Sequence, residues 1–254
     1  MKLSSLMMRA AVVAALAMSA RGAYATCTFG ASSEPTLQAS FNTLLGASAP
    51  NAVNDCVAEG ADARWTTTTG GATILLEIAG NANQNRFGIY DLGAADPNSA
   101  ASRIEIFQGN DGVGSTASIS LTQVGSGYRV TVVEDGQSRS LNVASATFGF
   151  YLQGQSNRRY FSDTTDTTAD PGVDHLYAYR GTGGTFQTGP AANTVFGPSD
   201  YILAWEDLPT GSSDRDFQDF VALIRNVTPV PLPTAVWLLA SGLIGLAGVA
   251  RRHA

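Results

Sequence analysis

The sequence predicts an all-β fold: an antiparallel β-sandwich of jelly-roll-like arrangement, with one short N-terminal helix and a single transmembrane helix at the C-terminus. Three observations lead there. From Ala72 to Arg225 the chain runs in short β-branched and aromatic stretches broken by Gly, Asn, Asp and Ser, as strands joined by turns do. Before the C-terminal tail only one segment of the exported part has a helical period, with Leu37, Phe41, Leu44 and Leu45 at i, i+4, i+7, i+8. No helices alternate with the strands, which argues against a parallel sheet.

The helix spans residues 36–47, and Gly46 supplies its stop. Residues 51–71, with the Thr66–Thr69 run, read as loop. Strands follow at 73–79, 86–92, 103–107, 117–123, 128–134, 139–143, 147–152, 175–179, 201–206 and 219–225. Gly125-Ser126-Gly127 lies between two stretches of period-two alternation, and Asp135-Gly136 follows the second. Both turns tolerate positive φ, so the segment reads as two successive hairpins.

The two ends are targeting segments. Lys2 and Arg9 precede the apolar run Ala10 to Ala17, and Ala23-Tyr24-Ala25 offers small residues where a signal peptidase reads them, so cleavage is expected after Ala25. At the other end no charge falls between Leu232 and Ala250. That length of helix spans ~29 Å at ~1.5 Å per residue, about the thickness of a bilayer's hydrocarbon layer. Arg251 and Arg252 follow, which keeps that end cytoplasmic. The organisation expected is a signal peptide over 1–25, one domain over 26–228 and a sorting segment over 229–254.

The tail, Val230-Pro231-Leu232-Pro233, then Trp237 to Val249, then Arg251-Arg252, resembles the PEP-CTERM sorting signal of Gram-negative bacteria. Leu232 stands where that family has Glu. The resemblance implies transient anchoring in the inner membrane and cleavage near Pro231 and Pro233 by an exosortase-type membrane protease. It also implies delivery to the cell surface or release, in an exopolysaccharide or biofilm context. The competing reading of the tail is a plain C-terminal membrane anchor.

Cys27 and Cys56 are the only cysteines, both in the exported part, and a pair in an oxidising compartment most simply forms one disulfide. All 21 acidic residues fall in 26–228, against ten of the fifteen basic ones, and Lys2 is the sole lysine. The domain therefore carries about −11 and no lysine, which argues against the positive patch that nucleic acid or anionic lipid requires.

The charge is concentrated. Residues 163–219 hold ten acids against Arg180 and Arg215. Glu206, Asp207, Asp214, Asp216 and Asp219 fall within fourteen residues, at a strand end and in the Pro/Gly loop after it. Crowded carboxylates repel, and a hard cation converts that repulsion into coordination; Ca²⁺, which takes six to eight oxygens in flexible geometry, fits best. Asp170 and Asp174, flanking Pro171-Gly172, are secondary candidates. The competing reading is a solvated acidic turn partly neutralised by Arg215. Glu206-Asp207-Leu208-Pro209 and Asp214-Arg215-Asp216-Phe217-Gln218-Asp219 resemble the signature of a domain of unknown function in bacterial surface proteins. That resemblance implies a β-sandwich with a Ca²⁺ site and no catalytic activity.

Catalysis has little to build on. His175 is the only histidine in 26–228, no Gly-x-Ser-x-Gly elbow is present, and His175 reads as a strand-edge residue beside an acidic turn. The alternative to a non-enzymatic surface protein is a carbohydrate-binding or carbohydrate-cleaving module. Its sugar-stacking aromatics would come from Trp65, Phe87, Tyr90, Phe148, Phe150, Tyr151, Tyr177 and Tyr179.

Overall fold

The computed structural model describes residues 24–31, 36–58, 60–78 and 82–230. The elements are β1 (Tyr24–Ala25), α1 (Leu37–Leu45), β2 (Cys56–Val57), β3 (Trp65–Thr66), β4 (Thr69–Leu76), β5 (Arg86–Tyr90), β6 (Arg103–Phe107), β7 (Thr116–Val124), β8 (Gly127–Glu134), β9 (Gln137–Val143), β10 (Gly149–Gln153), β11 (Arg159–Phe161), β12 (Leu176–Arg180), β13 (Tyr201–Trp205), β14 (Phe220–Arg225) and β15 (Thr228–Pro229). Each of the ten expected strands is present, and α1 lies inside its expected span. The transmembrane helix, Pro231, Pro233, Arg251 and Arg252 lie outside the described residues, as does the signal peptide to Ala23. Among the described residues no helix is long and apolar enough to cross a membrane.

The strands form a nine-stranded sheet ordered β1-β2-β12-β13-β14-β4-β7-β8-β9, a four-stranded sheet ordered β11-β10-β5-β6 and the small pair β15-β3. Every pairing recorded is antiparallel. The nine-to-four division differs from the even split of an eight-stranded jelly roll. Period two explains the layering. On β13 and β14, Tyr201, Leu203, Trp205, Phe220, Ala222 and Ile224 pack in one core with Phe87, Ile89, Phe150 and Leu152 of the smaller sheet. The alternate residues Ile202, Ala204, Val221 and Leu223 pack on the other face with Leu37, Phe41, Leu44 and Leu45 of α1.

Local chemistry explains the connections. Thr36 caps α1, its hydroxyl accepting from Ala39 N at 3.2 Å. Val124 pairs with Gly127 and Glu134 with Gln137, so each hairpin turns on two residues. Asp135 and Gly136 both take positive φ, 46° and 74°, as the right-handed strand twist favours.

Residues 51–71 are more ordered than expected: they hold β2, β3 and the start of β4. Gly70 lies in β4, and a Cβ there would lie 2.7 Å from Arg225 O, so only glycine allows that backbone approach. Cys27 and Cys56 form the expected disulfide, with Cα atoms 6.3 Å apart. Tyr24 and Ala25, on the far side of the expected cleavage, pair with Val57 and Cys56 at the sheet edge. At the other end of the described chain Val230 N donates to Arg64 O at 2.8 Å.

Candidate metal centre

The site forms where the β13–β14 hairpin opens into residues 206–219. The ladder ends with Trp205 opposite Phe220, so Glu206 and Asp219 face each other across the mouth, an arrangement that costs energy when both are charged. Asp207 N closes the mouth by donating to Asp219 Oδ2 at 2.9 Å. Further along, Asp216 Oδ1 accepts from Gln218 N and Asp216 Oδ2 from Gln218 Nε2, both at 3.0 Å.

The loop is sharply kinked around Asp214 and Asp216. Arg215 and Phe217 take φ of 57° and 59°, a left-handed conformation uncommon for large side chains and concentrated at functional sites. The kinks are held from outside. Phe217 stacks on Tyr177 and meets Phe29 edge-on, and Gly30 N donates to Arg215 O at 2.9 Å. A Cβ on Gly30 would lie 1.8 Å from Asp214 O, so the segment after Cys27 presses directly on the acidic loop.

These constraints bring all five primary candidates together as two overlapping triads. One ligand oxygen from each of Glu206, Asp207 and Asp219 lies within 4.8 Å of the others, and the same holds for Glu206, Asp214 and Asp216. Glu206 and Asp207 are 2% and 1% exposed, and Glu206 Oε2 and Asp207 Oδ2 are buried with no hydrogen-bond partner. Such orphaned oxygens are costly unless something positive meets them. Asp214, the one exposed member, opens the cluster to solvent.

The electrostatics follow from burial. Burial, reinforced by the charges of Asp207 and Glu206, pushes the Asp219 carboxyl up to about 9. Burial also raises Glu206, and it raises Asp207 with help from Asp214 and Asp216. Beside them Glu77 is raised to about 7, chiefly by burial, with Asp207 and Asp111 adding to it. Without a cation the cluster thus retains protons at neutral pH.

Asp170 and Asp174 belong to neither triad. Asp170 Oδ2 accepts from Thr210 N and Thr210 Oγ1, both at 2.7 Å, and lies 3.2 Å from His175 Nε2. Burial opposes ionisation of Asp170, but the Thr210 and His175 contacts outweigh it and hold its carboxyl below the usual range. Its role is to tie the 163–174 loop to the acidic loop. Asp174 Oδ1 accepts from Leu176 N at the start of β12. Asp163 pairs with Arg64 at 3.3 Å, and Tyr90 donates its hydroxyl to Asp166 at 3.0 Å.

His175 is buried, stacked on Tyr160 with centroids 3.8 Å apart. Its Nδ1 lies 3.2 Å from Glu206 O, so both ring nitrogens face acceptors. Burial is the main influence on the ring and pushes its pKa below the usual value. Of the eight aromatics considered for sugar stacking, seven are at most 1% exposed and Tyr177 is half-buried under Phe217; Trp65, Phe87, Phe148 and Phe150 lie in the core between the sheets, Tyr179 on the α1 face, and Tyr90 and Tyr151 in a third cluster with Phe161.

Sequence reasoning did not single out Asn85, Thr210 or the Phe29-Gly30 clamp. Only the Asp-x-Asp-aromatic pattern hinted at the Phe217 contact. The model of the family described as a domain of unknown function, DUF4114, matches residues 123–226, from the end of β7 through β14. That similarity takes in the whole acidic loop but not the disulfide or Asn85. No curated protein and no solved structure matches the chain.

Proposed function

We propose that the chain is an exported, non-enzymatic cell-surface or matrix protein whose β13–β14 loop is organised by Ca²⁺ on a double-sheet, jelly-roll-like scaffold. The carrying observation is the pair of buried, partnerless oxygens, Glu206 Oε2 and Asp207 Oδ2, inside a carboxylate triad. The donor set is all oxygen, which favours a hard cation over zinc. Ligand oxygens around Ca²⁺ at ~2.3–2.6 Å stand up to about 5 Å apart, which matches a cluster within 4.8 Å. Mg²⁺ prefers to keep its water shell and a tighter octahedron. One consequence is linkage: Ca²⁺ binding displaces the proton that burial leaves on Asp219.

Export is supported by the Cys27–Cys56 disulfide, which suits an oxidising compartment, and by the resemblance of both chain ends to targeting segments. In this reading an exosortase-type protease removes the tail after transient inner-membrane anchoring, and the acidic, lysine-free domain acts outside, in an exopolysaccharide setting. His175, held between Asp170 and Glu206 O, is not free to serve as a general base, which supports a binding or structural role.

Two experiments test this. Calorimetric titration with Ca²⁺ is expected to show saturable binding that Asp214→Ala with Asp216→Ala weakens strongly; equal heats from both proteins would sink the reading. Mass spectrometry of the protein from its native host is expected to show a C-terminus near Pro231, and an intact chain ending at Ala254 would instead mean a permanent anchor.

A further inference from the structure

Asn85 is the one buried amide at this end of the domain whose two polar atoms both lack partners. It immediately precedes β5, far in sequence from the acidic loop and outside the matched segment 123–226. It is 2% exposed, and neither Oδ1 nor Nδ2 has a hydrogen-bond partner. An asparagine carries an acceptor oxygen and two donors, and leaving them all unmet in burial costs more than most single contacts contribute. Its neighbours are two carboxylates, Asp207 and Glu77; burial raises the pKa of both, and the approach of the Asn85 amide to each lowers it in part. A carboxylate can take the Nδ2 protons; neither, when ionised, can give anything to Oδ1.

Three oxygens are therefore orphaned together: Glu206 Oε2 and Asp207 Oδ2 from the β13–β14 loop, and Asn85 Oδ1 from the β4–β5 connection. Asp219 completes the carboxylate triad. Two segments far apart in sequence thus bring unmet acceptors to neighbouring buried positions, and among these three side chains the Asn85 Nδ2 protons are the only unpartnered donors. A cation is the partner that satisfies all three, and side-chain amide carbonyls are ordinary Ca²⁺ ligands.

We infer that Asn85 Oδ1 is a ligand of the ion held by Glu206, Asp207 and Asp219, while its Nδ2 orients the Glu77 carboxylate behind it. This rests on the Ca²⁺ reading above and adds to it a ligand from the β4–β5 connection. The ion then ties the smaller sheet, through β5, to the central hairpin of the larger one, so it braces the two sheets against each other rather than shaping one loop alone.

The test uses Tb³⁺ in place of Ca²⁺ on the purified protein. Luminescence lifetimes in H₂O and D₂O count the waters left on the bound ion, and competition by Ca²⁺ reports affinity. Asn85→Ala is expected to add about one water and to weaken Ca²⁺ about tenfold or more. Asn85→Asp keeps an oxygen in place, and is expected to leave the hydration number unchanged and to bind Ca²⁺ at least as tightly as the wild type. Tb³⁺ bound by Asn85→Ala with wild-type hydration and affinity overturns the inference and leaves the Ca²⁺ reading standing. Should Asn85→Ala not fold, a raised hydration number in Asn85→Asp overturns it equally. Failure of the wild type to bind either ion overturns both.

Discussion

Tyr177 and Phe217 lie face to face, with ring centroids 3.8 Å apart and planes 12° from parallel. The pair joins β12 to the kinked loop that carries Asp214 and Asp216. The Tyr177 hydroxyl donates to Thr28 O at 2.9 Å and accepts from Thr28 N at 3.2 Å, next to Cys27 of the disulfide. Disulfide, N-terminal segment, aromatic stack and acidic loop form one continuous chain of contacts.

Tyr177→Leu keeps bulk but removes the stack and both Thr28 contacts. The expected loss of stability is about 1–3 kcal/mol, from an aromatic pair worth about 0.5–1.5 kcal/mol and hydrogen bonds worth about 1 kcal/mol each. Denaturant melts should show a larger loss in Ca²⁺ than in EDTA. An identical loss in both would place the pair in the scaffold alone.

Glu206 belongs to both triads, so Glu206→Gln is expected to weaken Ca²⁺ at least ~100-fold, equivalent to about 2.7 kcal/mol. The same change removes a buried charge next to Asp219, so in EDTA the variant is expected to melt no lower than the wild type. A variant that melts lower in EDTA but keeps its Ca²⁺ affinity would mean that Glu206 serves packing.

The metal-free protein has a pH dependence of definite sign. Asp219 is raised from 3.8 to about 9 and Glu77 from 4.5 to about 7. A raised acid binds more protons folded than unfolded, so its stabilising effect is fully present below the unfolded value and disappears as pH rises through the folded one. In EDTA the melting temperature is expected to fall between about pH 4 and pH 9, and saturating Ca²⁺ is expected to flatten that slope. A slope unaffected by Ca²⁺ would contradict the coupling.

Much of this was legible in the sequence. Period two and turn chemistry located ten strands, and the stripe of Leu37, Phe41, Leu44 and Leu45 with the Gly46 stop located α1. The five carboxylates were legible as a group because two of them flank the hairpin mouth and the rest sit in its loop. Strands β1, β2, β3, β11 and β15 have two or three residues each, too few to show a period, and exist because of the partners they meet. Asp170 and Asp174 carried the same composition signal as the carboxylate cluster; the Asp170 bonds to Thr210, 40 residues away, are tertiary and leave no trace in spacing, whereas Asp174 turns locally onto Leu176 N. Nor do the left-handed turns at Arg215 and Phe217, which depend on Gly30 and Tyr177 far away in the chain.

Gly30→Ala tests that dependence. A methyl group there would meet Asp214 O at 1.8 Å, so the N-terminal segment and the loop must separate. Overpacking of this kind costs about 1–3 kcal/mol. Here it is expected to weaken Ca²⁺ as well, read by calorimetry. Unchanged affinity would mean that the acidic loop forms without the clamp.

The central claim is that a cation answers the buried oxygens of Glu206 and Asp207, and scanning calorimetry of the protein in Ca²⁺ and in EDTA tests it most directly. With free Ca²⁺ at ~100 times its dissociation constant, binding to the folded state adds about 2.7 kcal/mol, seen as a melting temperature several degrees higher that returns to its EDTA value on chelation. Superimposable melts in Ca²⁺ and EDTA, with no heat on titration, would contradict the claim and leave the cluster a protonated acidic turn.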